Sequence, residues 1–295
     1  MFKDRQRLAR WLLWFTPALW SSNYLIARAA TDVIAPHQLA LLRWSVAVAL
    51  MLPFTWAALA KAPRTWLAEW PHLLVLGGLG MWMCGAFVYQ GGHSTSALNI
   101  GLIYAACPVG IAWLGAKLLH ERVTAAKALG AALALLGVVV IITRGDLAHL
   151  RQVHLGAGDL WIAVAACAWV AYSVLLMRWK SVLPPAPRLA AIAMGGVVVM
   201  LPFTAIEALV VATPAFSLKA LGLVLAAALM PGALAYTAYS VVQRELGVAR
   251  TALMLYLSPL YAAGLAWALL GEAPQAYHAV GAALILPSIW LATRR

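Results

Sequence analysis

An all-α integral membrane protein of ten transmembrane helices, arranged as two inverted five-helix repeats, is the fold class that this 295-residue sequence predicts. Three observations predict it. The chain is 64% hydrophobic and 10% charged, with a mean hydropathy of +0.88, so it has too little polar surface to coat a soluble globule. Its apolar runs reach 18 to 25 residues, the length that crosses about 30 Å of hydrocarbon in a helix. Finally, the sequence repeats itself. Cys107-Pro108 returns as Ser258-Pro259, and Glu121 and Gly130 return as Glu272 and Gly281, all at a spacing of 151. Met51-Leu52-Pro53-Phe54-Thr55 returns letter for letter as Met200 to Thr204, and Trp20 as Trp169, at a spacing of 149. A near-constant offset at separate places marks a duplicated unit, which divides the chain into 1–147 and 148–295.

The spans follow from breaks at charges and prolines. The first, 11–30, begins after Lys3, Arg5, Arg7 and Arg10 and stops before Asp32. A signal peptide is the rival reading of that stretch, but it shows no small-x-small cleavage site and Trp20 has its counterpart inside the second repeat. The second, 38–59, carries the repeated Met-Leu-Pro-Phe-Thr. The third, 72–91, follows Glu69 and holds Gly77, Gly78, Gly80 and Gly91, residues that let helices approach closely in a bilayer. The fourth, 97–118, is interrupted at Pro108 and closed by Glu121; the fifth, 125–143, stops before Asp146. The second half repeats the series. Span six, 157–178, opens near Asp159 and ends on Arg178, and span seven, 188–212, carries the second Met-Leu-Pro-Phe-Thr and Glu207. Span eight, 218–243, stops before Glu245; span nine, 250–270, is interrupted at Pro259 and closed by Glu272; span ten is 277–293.

Charge sets the orientation. Of 21 Lys and Arg, 16 fall on the side of the N-terminus and 5 on the other, which by the positive-inside rule places both termini in the cytoplasm. The net charge of +12 therefore sits at span ends and not on the stripe of a nucleic-acid binder. An odd number of spans per repeat then inverts the second copy relative to the first. Repeats so related place a substrate site near mid-bilayer where the halves meet. Pro108 and Pro259, read as breaks inside corresponding spans, are the expected hinges, freeing the carbonyls of Tyr104 and Leu255 beside that site.

Polar groups at membrane depth face a bundle interior or a cavity. Trp20, Asn23 and Tyr24 share one face of span one, and Trp169 and Tyr172 one face of span six. Tyr236, Tyr239 and Gln243 do the same in span eight. Tyr89 and His93 in span three, Asn99 and Tyr104 in span four, and Tyr256 and Ser258 in span nine complete the substrate-binding candidates. Trp11, Trp14, Trp56, Trp66, Trp70, Trp161 and Trp290 fit an interfacial belt. Glu121 and Glu272 read as fold markers that reach basic groups or the first N–H groups of the next helix. Glu207 alone of the carboxylates lies inside a span, within two turns of its outer end, so no carboxylate suited to proton exchange is evident. Cys84, Cys107 and Cys167 all lie in apolar spans, and neither a metal site nor a cofactor is implied.

The segment from Ala97 to Ile142 resembles the EamA domain of the drug/metabolite transporter superfamily. The resemblance is carried by Asn99-Ile100-Gly101-Leu102, Pro108, Leu118-Leu119-His120-Glu121 and Gly130-Ala131-Ala132. Gly247 to Leu291 resembles a second copy, with Pro259, Leu269-Leu270-Gly271-Glu272 and Gly281-Ala282-Ala283. The overall pattern is most similar to bacterial exporters of aromatic amino acids. That resemblance implies ten helices, a central cavity and the bacterial inner membrane. The expected activity is export of aromatic and other large neutral amino acids by alternating access. Partners are then the substrate and the lipid bilayer, with no nucleic acid, and a monomer suffices. Another metabolite or a drug on the same scaffold is the alternative. An intramembrane enzyme is disfavoured, since His120-Glu121 lacks the second histidine of H-E-x-x-H and no serine sits in G-x-S-x-G.

Overall fold

The computed structural model describes residues 2–61, 63–152, 154–212, 214–271 and 273–293, and among these every regular element is helical. The first half contains α1 (Phe2–Ala30), α2 (Pro36–Lys61), α3 (Trp70–Gly92), α4 (Asn99–Leu119) and α5 (Ala125–Ile142). The second contains α6 (Ala157–Arg178), α7 (Pro185–Val210), α8 (Leu218–Leu246), α9 (Val248–Ala268) and α10 (Ala276–Thr293). Eight of these, α2 to α9, are long and apolar enough to cross a membrane. Of the other two, α1 carries Ser21, Ser22 and Asn23 in its middle, which dilute its hydropathy, and α10 is described as an apolar stretch over Ala276–Leu291.

Helices pair across the two halves. α5 packs most extensively on α10 and α2 on α7; α1 lies against α8 and α9, while α6 lies against α3 and α4. The first pairing closes on glycine: a Cβ at Gly137 would stand 2.9 Å from the carbonyl oxygen of Gly281, so only a bare backbone allows the approach.

Two kinds of irregularity recur at matching places. α3 turns π-helical over Gly78–Phe87 and α8 over Ala228–Leu234, segments that begin 150 residues apart. Wider turns of this sort displace side chains from their α-helical positions. α4 is interrupted between Ala105 and Cys107, and α9 passes through a 3-10 turn, Leu253–Leu257, before its α-helix resumes at Ser258. This corrects the reading of the two prolines. Pro108 and Pro259 do not interrupt helix interiors; each occupies the first turn of a new half-helix, where a missing N–H leaves nothing unpaired. The Leu255 carbonyl accepts the Ser258 N–H, and the cap of the first half of α4 reaches the carbonyls of Ile103 and Tyr104. The expected freed carbonyls are therefore engaged.

Three carboxylates fasten helix starts. Glu121, at the end of α4, accepts from the N–H groups of Val248 at 2.8 Å and Ala249 at 3.1 Å, so it caps α9 in the other half and not the helix that follows it. Glu207, buried in α7, accepts at 3.0 Å from the N–H groups of His37 and Gln38 and contacts the His37 ring at 2.9 Å, capping α2. Asp159 accepts from the Gly156 N–H at its own helix start, and from Thr95 and Asn99 at the junction of α3 and α4. Each satisfies N–H groups that no helix can pair internally. Glu272 lies outside the described residues.

Candidate functional site

A cavity of about 110 Å³ lies where α1, α2, α3, α6 and α8 converge, closed laterally by α4 and α9. One wall is aromatic. Trp20 and Trp169, equivalent in the sequence repeat, meet edge to face with ring centroids 5.2 Å apart. Tyr236 stands edge-on to both, at 5.9 and 5.7 Å, and Trp44 backs it at 4.9 Å. Such ring pairs contribute about 0.5–1.5 kcal/mol each beyond burial. The Tyr236 hydroxyl donates to the Gly80 carbonyl at 2.8 Å, within the π-helical segment of α3. Gly80 permits this contact surface because a Cβ there would stand 2.6 Å from the Tyr172 ring. The rest of the lining includes Asn23, Arg43, Cys84, Tyr104 and Ser258.

Two hydrogen-bonded tyrosines bound the cavity. In one cluster Tyr89 donates to Asn23 Oδ1 at 2.9 Å, and Arg43 Nη1 contacts Tyr89 Oη at 2.8 Å and Asn23 Oδ1 at 3.3 Å. In the other Tyr239 donates to Ser173 Oγ at 2.8 Å, and Gln243 Nε2 donates to the Ser173 carbonyl at 2.8 Å and to the Tyr239 oxygen at 3.3 Å. Tyr89 and Tyr239 are 150 residues apart, as are Asn23 and Ser173. Beyond the second cluster opens a vestibule of about 810 Å³ walled in part by Arg5, Lys180, Arg188, Gln243 and Arg244. Arg188 is held there by the carbonyls of Leu176 and Trp179, closing the end of α6.

Arg43 is the residue that sequence reading missed. It is 4% exposed, and its Nε has no hydrogen-bond partner among the described residues. Among those residues no carboxylate lies within ion-pair distance; the guanidinium sits 5.2 Å from the Trp44 ring. A cation at the centre of a membrane helix costs about 2.5–3.5 kcal/mol by insertion scales. Counting it with the charges at span ends concealed it, although a lone charge seven residues into the apolar α2 was visible in the sequence.

The structure gathers some of the other candidates and disperses the rest. Trp20, Asn23, Tyr104, Trp169 and Ser258 line the cavity, and Tyr89 and Tyr239 form its two clusters. Tyr172 is buried behind Trp169, stacked at 5.5 Å, and Tyr256 is buried in α9. His93 is exposed at the end of α3, and Asn99 is bound to Asp159 and the His154 carbonyl, so neither reaches the cavity. Pro108 and Pro259 begin the half-helices that flank it. The side chain of Tyr24 lies outside the described residues.

Comparison with known proteins gives a consistent picture. The model of the EamA-like transporter family matches the chain twice, over residues 9–143 and 156–294. A probable terminal-alkyne amino-acid exporter of Streptantibioticus cattleyicolor is 28% identical over 97% of this chain and 94% of its own length. An uncharacterized transporter of Archaeoglobus fulgidus is 24% identical over 96% of both chains. A protein crystal structure, 22% identical, superposes with a TM-score of 0.77 over 96% of each chain, which shows a shared fold.

Proposed function

We propose that this chain, which belongs to the EamA-like transporter family, exports aromatic and other large neutral amino acids through its central cavity. It is a multi-pass membrane transporter and not an enzyme. One observation carries the choice of cargo: tryptophans from equivalent positions of the two halves, Trp20 and Trp169, meet edge to face in the wall of a cavity that also presents amide, hydroxyl and guanidinium groups. Aromatic walls suit an apolar side chain, and polar groups at one edge suit a zwitterionic backbone. The relative named as a probable terminal-alkyne amino-acid exporter supports an amino-acid cargo.

Alternating access between two inverted five-helix repeats, 1–147 and 148–295, is the mechanism we assign. Its support lies in where helix ends meet. The start of α1 shares a vestibule with the end of α6, the start of α7 and the end of α8, while at the opposite end Glu207 of α7 holds the start of α2. α1 and α6 thus run in opposed directions, as an inverted repeat of ten spans requires. The positive excess beside that vestibule favours a cytoplasmic location for it and for both termini, in a bacterial inner membrane. Tyr239–Ser173–Gln243 then forms the inner gate and Tyr89–Asn23–Arg43 the outer. Three carboxylates, Asp159, Glu121 and Glu207, are occupied as helix caps, which supports export without a proton-carrying carboxylate.

Proteoliposomes loaded with labelled phenylalanine, tryptophan, methionine or threonine test the cargo. Efflux above protein-free vesicles is expected; none for all four would remove the amino-acid reading in favour of another small metabolite on the same scaffold. An imposed pH gradient is expected to leave final accumulation unchanged.

A further inference from the structure

Arg43 raises a question that the transporter reading leaves open: what balances its charge. The side chain is buried at the cavity wall, its Nε is unpaired among the described residues, and its hydrogen-bonding neighbours are the neutral oxygens of Asn23 and Tyr89. Guanidinium presents five donors in a planar fork matched to a carboxylate. Two neutral acceptors contacted by one nitrogen leave that fork underused, and the 3.3 Å contact to Asn23 is long for a charge-assisted bond. The cavity lining contains one cation and, among the described residues, no anion. Trp20, Trp169 and Tyr236 line the same cavity.

We propose that Arg43 is the specificity-determining residue of the transport site and binds the carboxylate of the cargo. The inference rests on the reading of this cavity as the transport site and deepens it: the cargo must carry a carboxylate joined to an apolar body. A single monovalent cation suits a monoanion, whereas a phosphate dianion demands more positive charge than this wall supplies. A second consequence follows from the same contacts. Arg43 also ties Tyr89 to Asn23, so a carboxylate that draws the guanidinium toward the cavity withdraws it from the outer cluster. Binding of the correct cargo thereby loosens one gate, while a cargo without a carboxylate does not.

The test uses the purified full-length protein in detergent and four related probes: phenylalanine, 3-phenylpropionate, phenylalaninamide and phenethylamine. Wild-type protein is expected to bind the two carboxylates about 10- to 100-fold more tightly than the amide and the amine, the range of a charge-assisted hydrogen bond. Arg43→Gln should erase that ratio and Arg43→Lys should retain part of it. Equal affinity for phenylalanine and its amide in the wild type overturns the proposal, as does an undiminished ratio in Arg43→Gln, or the absence of binding by either carboxylate at millimolar concentration. If Arg43→Gln does not fold, the wild-type probe series alone decides. Carboxylate binding without efflux from proteoliposomes would leave Arg43 in this role and remove the exporter reading. Efflux of cargo with no preference for carboxylates would do the reverse.

Discussion

The two tyrosine clusters use the same geometry, a phenol donating at 2.9 or 2.8 Å to a short polar side chain on the facing helix. They differ in what supports the phenol. Tyr239 is held by a neutral amide, Gln243, from its own helix, whereas Tyr89 is held by the buried guanidinium of Arg43 from a different helix. At the place in α7 that corresponds to Arg43 the chain has Ile192, fully buried. The two clusters are thus alike in their phenols and unlike in what supports them. The neutral gate can open at the cost of neutral hydrogen bonds, each about 0.5–1.5 kcal/mol net, while the charged gate keeps a desolvated cation that needs a partner whenever it moves. If Arg43 binds the cargo carboxylate as proposed, recognition is coupled to the charged cluster alone.

The sharpest way to break this comparison is to give Arg43 a permanent partner. Asn23→Asp places a carboxylate where Oδ1 now stands, 3.3 Å from Nη1. The pair should hold the outer cluster shut and compete with cargo, so efflux is expected to fall at least about tenfold while thermal stability is kept or raised, a buried cation having gained its counter-charge. The corresponding change in the neutral cluster, Ser173→Asp, introduces an unpaired buried anion and should instead lower stability. If Asn23→Asp transports normally, Arg43 is not a gate residue.

The tryptophan pair provides the next test, because here the halves are alike. Trp169→Ala and Trp20→Ala each delete one ring of the same edge-to-face contact. Both are expected to reduce efflux severalfold with normal membrane insertion. Both rings lean on Tyr239, at 5.2 and 5.1 Å, but Trp169→Ala should cost more, since that ring also stacks on Tyr172 at 5.5 Å. Equal losses would mean that the pair acts by its mutual contact alone, and wild-type efflux in both would return the rings to simple packing.

What could be read from the sequence follows the same division. The duplication, the order of helices and the face bearing Trp20 and Asn23 were legible because they are periodic: a repeat offset and a helical spacing survive without coordinates. Glu121 was legible as a structural residue but not its target, because a cap on α9 is a contact across 127 positions that no local pattern encodes. The prolines misled for a related reason. Proline is destructive inside a helix and benign in its first turn, and only the chain path tells the two apart. Asn99 and His93 were drawn into the candidate site by residue type, whereas Asn99 is spent on Asp159 at a helix junction. Arg43 was missed through the opposite error, a charge treated as a boundary because charges usually are.

The smallest effect separates the clusters most cleanly, since it removes one oxygen from each and leaves every ring in place. Tyr89→Phe deprives Arg43 of its 2.8 Å acceptor and Asn23 of its donor. Tyr239→Phe deprives Ser173 of a donor and Gln243 of its weaker contact, while the amide keeps the Ser173 carbonyl at 2.8 Å. Bonds to charged groups contribute about 1.5–3 kcal/mol and neutral ones about 0.5–1.5. Thermal unfolding in detergent should therefore show Tyr89→Phe to be the more destabilising by about 1 kcal/mol. Adding a saturating carboxylate probe should shrink that difference, because bound cargo replaces the lost acceptor on Arg43 and offers nothing to Gln243. A difference that persists unchanged with the probe present would mean that the guanidinium does not exchange its gate partner for cargo, and the two clusters would then differ in strength alone.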